Sequence, residues 1–174
     1  DPGLPDHYVR RDVDRNPGGN PSTYQTHCRN CHAPMDSLGG AFSRLDFINE
    51  EFIHTGEHAV STKYNQNKDV FPEGYVTVKD NWINYAIYHH NESFGWRGKL
   101  EGNGVKEFGQ MVANAKGFSR CLVKKVFREV CNRPTSAEES DLVQRLADTF
   151  EKNQYNLKRL FAEVAIEKAC IPYE

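Results

Sequence analysis

The stretch Cys28-Arg29-Asn30-Cys31-His32 contains the most informative pattern in the chain. The order C-x-x-C-H is the attachment signature of a c-type haem. Two thiols three positions apart on a helix share one face, so they can form thioethers with the two vinyl groups of a porphyrin. The histidine that follows then points its imidazole at the iron. The sequence therefore predicts one haem c, bound covalently through Cys28 and Cys31, with His32 as an iron ligand.

Two other uses of these cysteines fit the sequence less well. A structural zinc site needs a second Cys/His pair at metal-ligand spacing, whereas Cys121, Cys131 and Cys170 are widely separated. A thioredoxin-type dithiol is expected in a βαβ setting, and the residues around the motif favour a helix. Zinc and a redox dithiol remain the alternatives to haem attachment.

Composition predicts one ordinary globular domain and excludes two classes of partner. The chain has 174 residues, 38% of them hydrophobic, and a net charge of -2. No apolar run approaches the ~18 residues of a membrane span, and there is no basic field for nucleic acid. We expect no membrane span and no nucleic-acid partner. Covalent haem and spare cysteines indicate a periplasmic or secreted location, and the polar start suggests a mature or excised fragment.

Turn residues and periodicity divide the chain into three parts. Residues 1–19 are expected to form an extended arm, and 20–174 a single domain. Asn20 is a good N-cap with Pro21 at the first helical position, and Pro34 is expected to end that helix.

An insert of about residues 40–102 predicts long loops or a β-hairpin, with a strand at Val76–Val78. Asp80 is expected to cap a short aromatic helix through Trp82 to Tyr88. The C-terminal third shows helical spacing throughout, with a capping box at Ser136–Glu139 and an N-cap at Asn156. The fold class is therefore mainly α.

The sequence leaves two kinds of candidate for the second axial ligand of the iron: one methionine and several histidines. Met111 lies on an apolar helical stripe, where a methionine is more often core filler. A thioether from this distant segment would nevertheless clamp both halves of the chain on the ring. The competing imidazoles lie in the insert, at His54, His58, His89 and His90.

Four residues of the insert could donate hydrogen bonds to the haem propionates. They are Trp82, Tyr85, Trp96 and Arg97, whose indole, phenol and guanidinium groups suit anionic partners. The plainer interpretation is that both tryptophans are packing residues and that Arg97 is solvated.

The spare cysteines predict one disulfide. Cys121 and Cys131 are ten residues apart on one helix, about 15 Å by helical rise, which is too far to bridge. In an up-down-up arrangement the ends carrying Cys131 and Cys170 lie together. We expect a Cys131–Cys170 disulfide and a buried Cys121 thiol, with three free thiols as the alternative.

The chain resembles the monohaem c-type cytochrome modules of large secreted bacterial proteins, including planctomycete-type cytochromes. The resemblance implies a class I cytochrome c-like helical fold around one haem, with His32 and Met111 as ligands. The long insert departs from small cytochromes c and brings four histidines. The segments that carry the resemblance are 28–36 (CRNCHAPMD), 39–42 (GGAF), 102–111 (GNGVKEFGQM), 118–131 (FSRCLVKKVFREVC) and Cys170.

These observations predict a single-electron transfer protein and no enzyme. Its partner would be a redox protein or a neighbouring domain of a longer chain. The alternative is a haem enzyme of peroxidase or oxygen-activating type with a displaceable sixth position, for which His54, His58 or His89 could supply a distal acid-base group. A bis-His electron carrier or a gas sensor is the remaining alternative.

Overall fold

A computed structural model describes residues 11, 14, 19–57, 59–69, 72, 74–87 and 89–170. The chain forms two compact units. Unit 1 comprises residues 1–91 and 98–111, and unit 2 comprises residues 92–97 and 112–174. Most of the predicted arm at 1–19 lies outside the described residues, as does His58.

Unit 1 begins with a helix that changes its winding. Helix α1 covers Pro21–Thr23, a π-helical turn covers Tyr24–Cys28, and helix α2 covers Arg29–Asp36. The predicted start is confirmed, because the Asn20 side chain accepts a hydrogen bond from Ser22 N at 3.0 Å and Pro21 follows it. The predicted end is wrong. Pro34 lies inside α2, two residues before the helix ends at Asp36, so its missing N–H removes a hydrogen bond only in the last turn.

Two small antiparallel sheets complete unit 1. Strands β1 (Leu45–Ile48) and β2 (Glu51–His54) form a hairpin. Its turn residues Asn49 and Glu50 have φ of 52° and 65°, as tight hairpin turns require. Strand β3 (Asn81–Ile83) pairs with β4 (Glu101–Asn103).

The structure corrects two predictions within the insert. Val76–Val78 is irregular rather than a strand. Trp82 lies in β3 rather than in an aromatic helix, because its backbone pairs with Gly102. Its buried indole N–H also donates to the Gly104 carbonyl at 3.1 Å.

Helices dominate unit 2. Helix α3 (Gly104–Asn114) ends in it, and α4 (Lys116–Cys131), α5 (Ser140–Lys152) and α6 (Leu157–Ala165) follow. Helices α4, α5 and α6 pack on one another through buried apolar side chains, so unit 2 has its own hydrophobic core. The buried members are Val123, Val126, Phe127, Val143, Leu146, Ala147, Phe150, Leu160 and Val164.

The helix starts of unit 2 are only partly as predicted. Asn156 caps α6 by accepting from Arg159 N at 3.0 Å. Glu139 accepts from Ser136 N at 2.7 Å, but α5 begins at Ser140, later than the capping-box pattern indicates. The described chain is mainly α, as expected, and none of its described helices has the length and apolar character that crossing a membrane requires.

Candidate functional site

The helix that carries both cysteines of the motif winds unusually up to the first of them. Tyr24 to Cys28 form a single π-helical turn, within which Arg29 N donates to the Tyr24 carbonyl. Such turns are rare and often occur at functional sites. Cys28 ends the π turn and is half-buried, and Cys31 lies in the first turn of α2 and is exposed. Both are free thiols.

A histidine–carboxylate pair lies one position beyond the second cysteine. His32 Nδ1 is 3.0 Å from Asp36 Oδ1, and the two side chains are 40% and 10% exposed. The ring of buried Tyr24 lies 6.1 Å from the His32 ring, measured between centroids. The carboxylate favours the proton on Nδ1 and leaves Nε2 as the basic nitrogen. Asp36 was missed as a functional residue, although the i, i+4 spacing from His32 could have revealed it.

The predicted metal centre is corrected by the side-chain arrangement. Within the described ranges, no three or more His, Cys, Asp or Glu side chains come together to hold a metal ion. This finding contradicts the predicted haem c bound through Cys28 and Cys31. Met111 is buried, with 4% of its surface exposed, and its Sδ is 3.6 Å from the donating amide of Asn84. Motif spacing fixes the order of donor residues along the chain and leaves their convergence in space undetermined.

His54 and the pair His89 and His90, which the sequence offered as other iron ligands, lie in different elements. His54 ends β2, is exposed, and its Nδ1 accepts from Gly56 N at 3.1 Å. His89 and His90 begin a 3-10 turn. His58 lies outside the described residues.

The chain matches no protein-family model, no curated protein and no solved structure. The resemblance to cytochrome modules therefore stays a prediction.

Two of the four predicted propionate donors lie in unit 1. Trp82 packs edge-on against Phe108, with 5.6 Å between ring centroids, and its N–H is bonded to the Gly104 carbonyl. Trp82 is therefore a packing residue, the plainer of the two interpretations from the sequence. Tyr85 is half-buried in the same unit.

The other two lie in unit 2, where Arg97 is held by an acidic partner. Its two terminal nitrogens donate to the Glu151 carboxylate at 3.1 and 2.9 Å, and its Nε donates to the Asn114 carbonyl at 2.7 Å. The Arg97 guanidinium is the main reason that the pKa of Glu151 is lowered, and a hydrogen bond from Ser119 adds to the effect. Trp96 lies 5.7 Å from the ring of Phe94. The Arg97 guanidinium is therefore committed to Glu151 in the structure.

Of the other three cysteines, two form a disulfide and one is a free thiol. Cys131 and Cys170, the pair expected from the sequence, are joined by a disulfide with a Cα–Cα distance of 4.8 Å. Cys121 is free and exposed, so the expectation of a buried thiol is wrong. The inner face of α4 is formed by Ser119, Val123 and Phe127, and Cys121 lies away from it.

Proposed function

We propose that this chain is a redox protein that carries electrons through the thiols of Cys28 and Cys31. The observation that carries the proposal is the grouping of two free thiols and a carboxylate-oriented imidazole within nine residues of one helix, 28–36. Cysteines three positions apart on a helix lie one turn apart, which suits the closing of a disulfide between them. Electron transfer thus remains the proposed activity, with sulfur as its redox centre.

The chemistry is thiol–disulfide exchange with a disulfide of a partner. The exposed Cys31 attacks as the thiolate, forms a mixed disulfide and releases one partner thiolate. Cys28 then attacks the Cys31 sulfur, closes the Cys28–Cys31 disulfide and releases the second partner thiolate. Two electrons and two protons leave the dithiol, and they convert the partner disulfide into two thiols. Single-electron transfer, as predicted from the sequence, and its peroxidase alternative both depend on haem iron, which this route does not use.

His32 supplies the base for this exchange. Because Asp36 holds Nδ1, Nε2 is left to accept the proton that the attacking thiol gives up during the exchange. His32 and Asp36 are thus positioning and proton-handling residues for the two sulfurs.

The partner in this proposal is a disulfide-bearing protein or a neighbouring domain of a longer chain. The Cys131–Cys170 disulfide supports an oxidising compartment, periplasmic or extracellular. A class I cytochrome-like arrangement of the helices stays a prediction that the mainly α fold permits.

The deciding experiment uses the cleavage site between the two cysteines. Trypsin cuts after Arg29 and separates Cys28 from Cys31, so a disulfide between them keeps the two tryptic peptides linked. The protein is equilibrated in glutathione buffers of graded potential, alkylated, digested and analysed by mass spectrometry. We expect one transition from separate alkylated peptides to a linked pair, with a two-electron slope of about 30 mV per tenfold change in ratio.

Matched variants separate the proposed pair from other thiols. Cys28→Ser and Cys31→Ser should each abolish the linked product, and Cys121→Ser should leave the transition unchanged. His32→Gln should slow exchange at neutral pH and flatten its pH profile. Independent alkylation of both cysteines at every potential would refute the dithiol. Linked peptides that carry the added mass of a porphyrin would equally overturn it.

A further inference from the structure

Unit 2 contains a groove of about 950 Å³ between α4 and the first turns of α5, together with the residues before α5. One side carries a row of cations from α4. The other side offers hydroxyl and amide groups and one carboxylate. The cations are Arg120, Lys124, Lys125 and Arg128, and the facing polar residues are Thr135, Ser140, Asp141 and Gln144.

The cations form a line along one helix face. Arg120, Lys124 and Arg128 follow i, i+4, i+8 spacing, which places them along about 12 Å of the helix. Lys125 widens the row on one side. A row of this length matches an extended ligand better than a single small anion, which is bound by donors that converge on one point.

Among the described residues of unit 2, little of this positive charge is neutralised. Within the described residues, Lys124 and Lys125 make no ion pair. Arg128 is 3.8 Å from Glu129, and both side chains are more than 60% exposed, so that pair is weak. Arg120 donates to the Ser93 carbonyl, which carries no charge. Among the described residues that line the groove, Asp141 is the single carboxylate.

We propose that this groove binds an acidic, extended segment of a partner protein. The lined cations would pair with its carboxylates, and Ser140 and Gln144 can hydrogen-bond its backbone. Phe94, 48% exposed and part of the lining, offers an apolar contact beside Gly117. A nucleic acid fits less well, because it requires a broad basic field and the whole chain has a net charge of -2.

The test measures binding of a fluorescent peptide of ten residues with alternating Glu and Ser by anisotropy. We expect saturable binding that weakens as salt rises. The double variant Lys124→Glu/Lys125→Glu should weaken it at least about tenfold, because two attractions become repulsions. The neutral variant Lys124→Gln/Lys125→Gln should give a smaller loss. Bound peptide should also slow alkylation of Cys121, which lies in the groove.

The control variant, Lys158→Glu/Lys168→Glu, reverses the charge of two lysines of unit 2 that do not line the groove. It makes the same change in net charge and should change the affinity less than twofold. Equal losses in the two double variants would refute the groove as the binding surface. Circular dichroism of every variant checks that the helices are retained. A single-stranded DNA of equal charge that binds as tightly as the peptide in the same buffer would overturn the choice of an acidic protein.

Discussion

Removal of the Cys131–Cys170 disulfide should destabilise unit 2 by an amount that its loop length sets. The two cysteines are 39 residues apart. Cross-linking a loop of about 40 residues lowers the entropy of the unfolded chain by about 13 cal/mol/K, which amounts to about 4 kcal/mol at 25 °C. The closed loop contains α5 and α6, which supply buried side chains of the core of unit 2. We therefore expect the loss of stability to appear as easier unfolding of unit 2.

The assay is urea unfolding of Cys131→Ser/Cys170→Ser, followed by the far-ultraviolet circular dichroism of the helices. With a slope of about 2 kcal/mol/M, a loss of 4 kcal/mol lowers the midpoint by about 2 M. Every protein in the series carries Cys28→Ser and Cys31→Ser, so that no other pair exchanges. The exposed Cys121→Ser is the control and should change stability by less than about 0.5 kcal/mol.

The result that refutes this reasoning is a midpoint within about 0.3 M of the parent's, which corresponds to less than 1 kcal/mol. Reduction of the parent by dithiothreitol should reproduce the double variant. A reduced parent that unfolds at the oxidised midpoint would refute it as well.

Three further predictions concern unit 2. Hydrogen bonds from Arg133 lower the pKa of Glu139 to about 2 from an ordinary 4.5, so its stabilisation is complete above pH 4.5 and is lost as the pH falls towards 2. The shift corresponds to at most ~3.4 kcal/mol, and solvent screening reduces the expected value to about 1 kcal/mol. The difference in unfolding free energy between the parent and Glu139→Gln should therefore shrink on acidification, and a constant difference from pH 7 to pH 2 would contradict the pairing. Leu146→Ala opens a cavity in the buried core and should cost about 3 kcal/mol in urea unfolding, whereas Leu157→Ala at an exposed site should cost less than about 0.5 kcal/mol. Asn132 ends α4 with φ of 52°, so Asn132→Val should lower the unfolding free energy by about 1–2 kcal/mol and Asn132→Gly should change it little.

Local signals predicted the parts of the fold that neighbouring residues decide. Asn20 and Asn156 were recognisable as caps, because an N-cap acts on backbone groups two or three positions away. The mainly α class followed in the same way from helical periodicity. Trp82 was wrongly assigned to a helix, since its strand depends on a partner at Gly102 that no local pattern indicates.

The candidate site was predictable in part. The sequence placed Cys28, Cys31 and His32 together on a helix, and the structure adds Asp36 as the partner of the imidazole. The spacing of residues could not predict the π turn, which depends on how the backbone winds. Nor could it show that the predicted metal centre is wrong, because that depends on where side chains converge in space. The exposure of Cys121 could have been predicted by comparing it with the apolar face of its own helix.

The π-helical turn at Tyr24–Cys28 has a consequence for single-residue deletions in this helix. One surplus residue is accommodated in that turn, so deleting a single residue would let the helix run with uniform α pitch. Because the wide turn has already absorbed that residue, Cys31 and His32 would keep their direction relative to the Asn20 cap. A deletion within the regular α turns of α2 would instead rotate everything beyond it by about 100°. The π turn is thus a position where the length of this helix can change by one residue while the direction of the side chains that follow is kept.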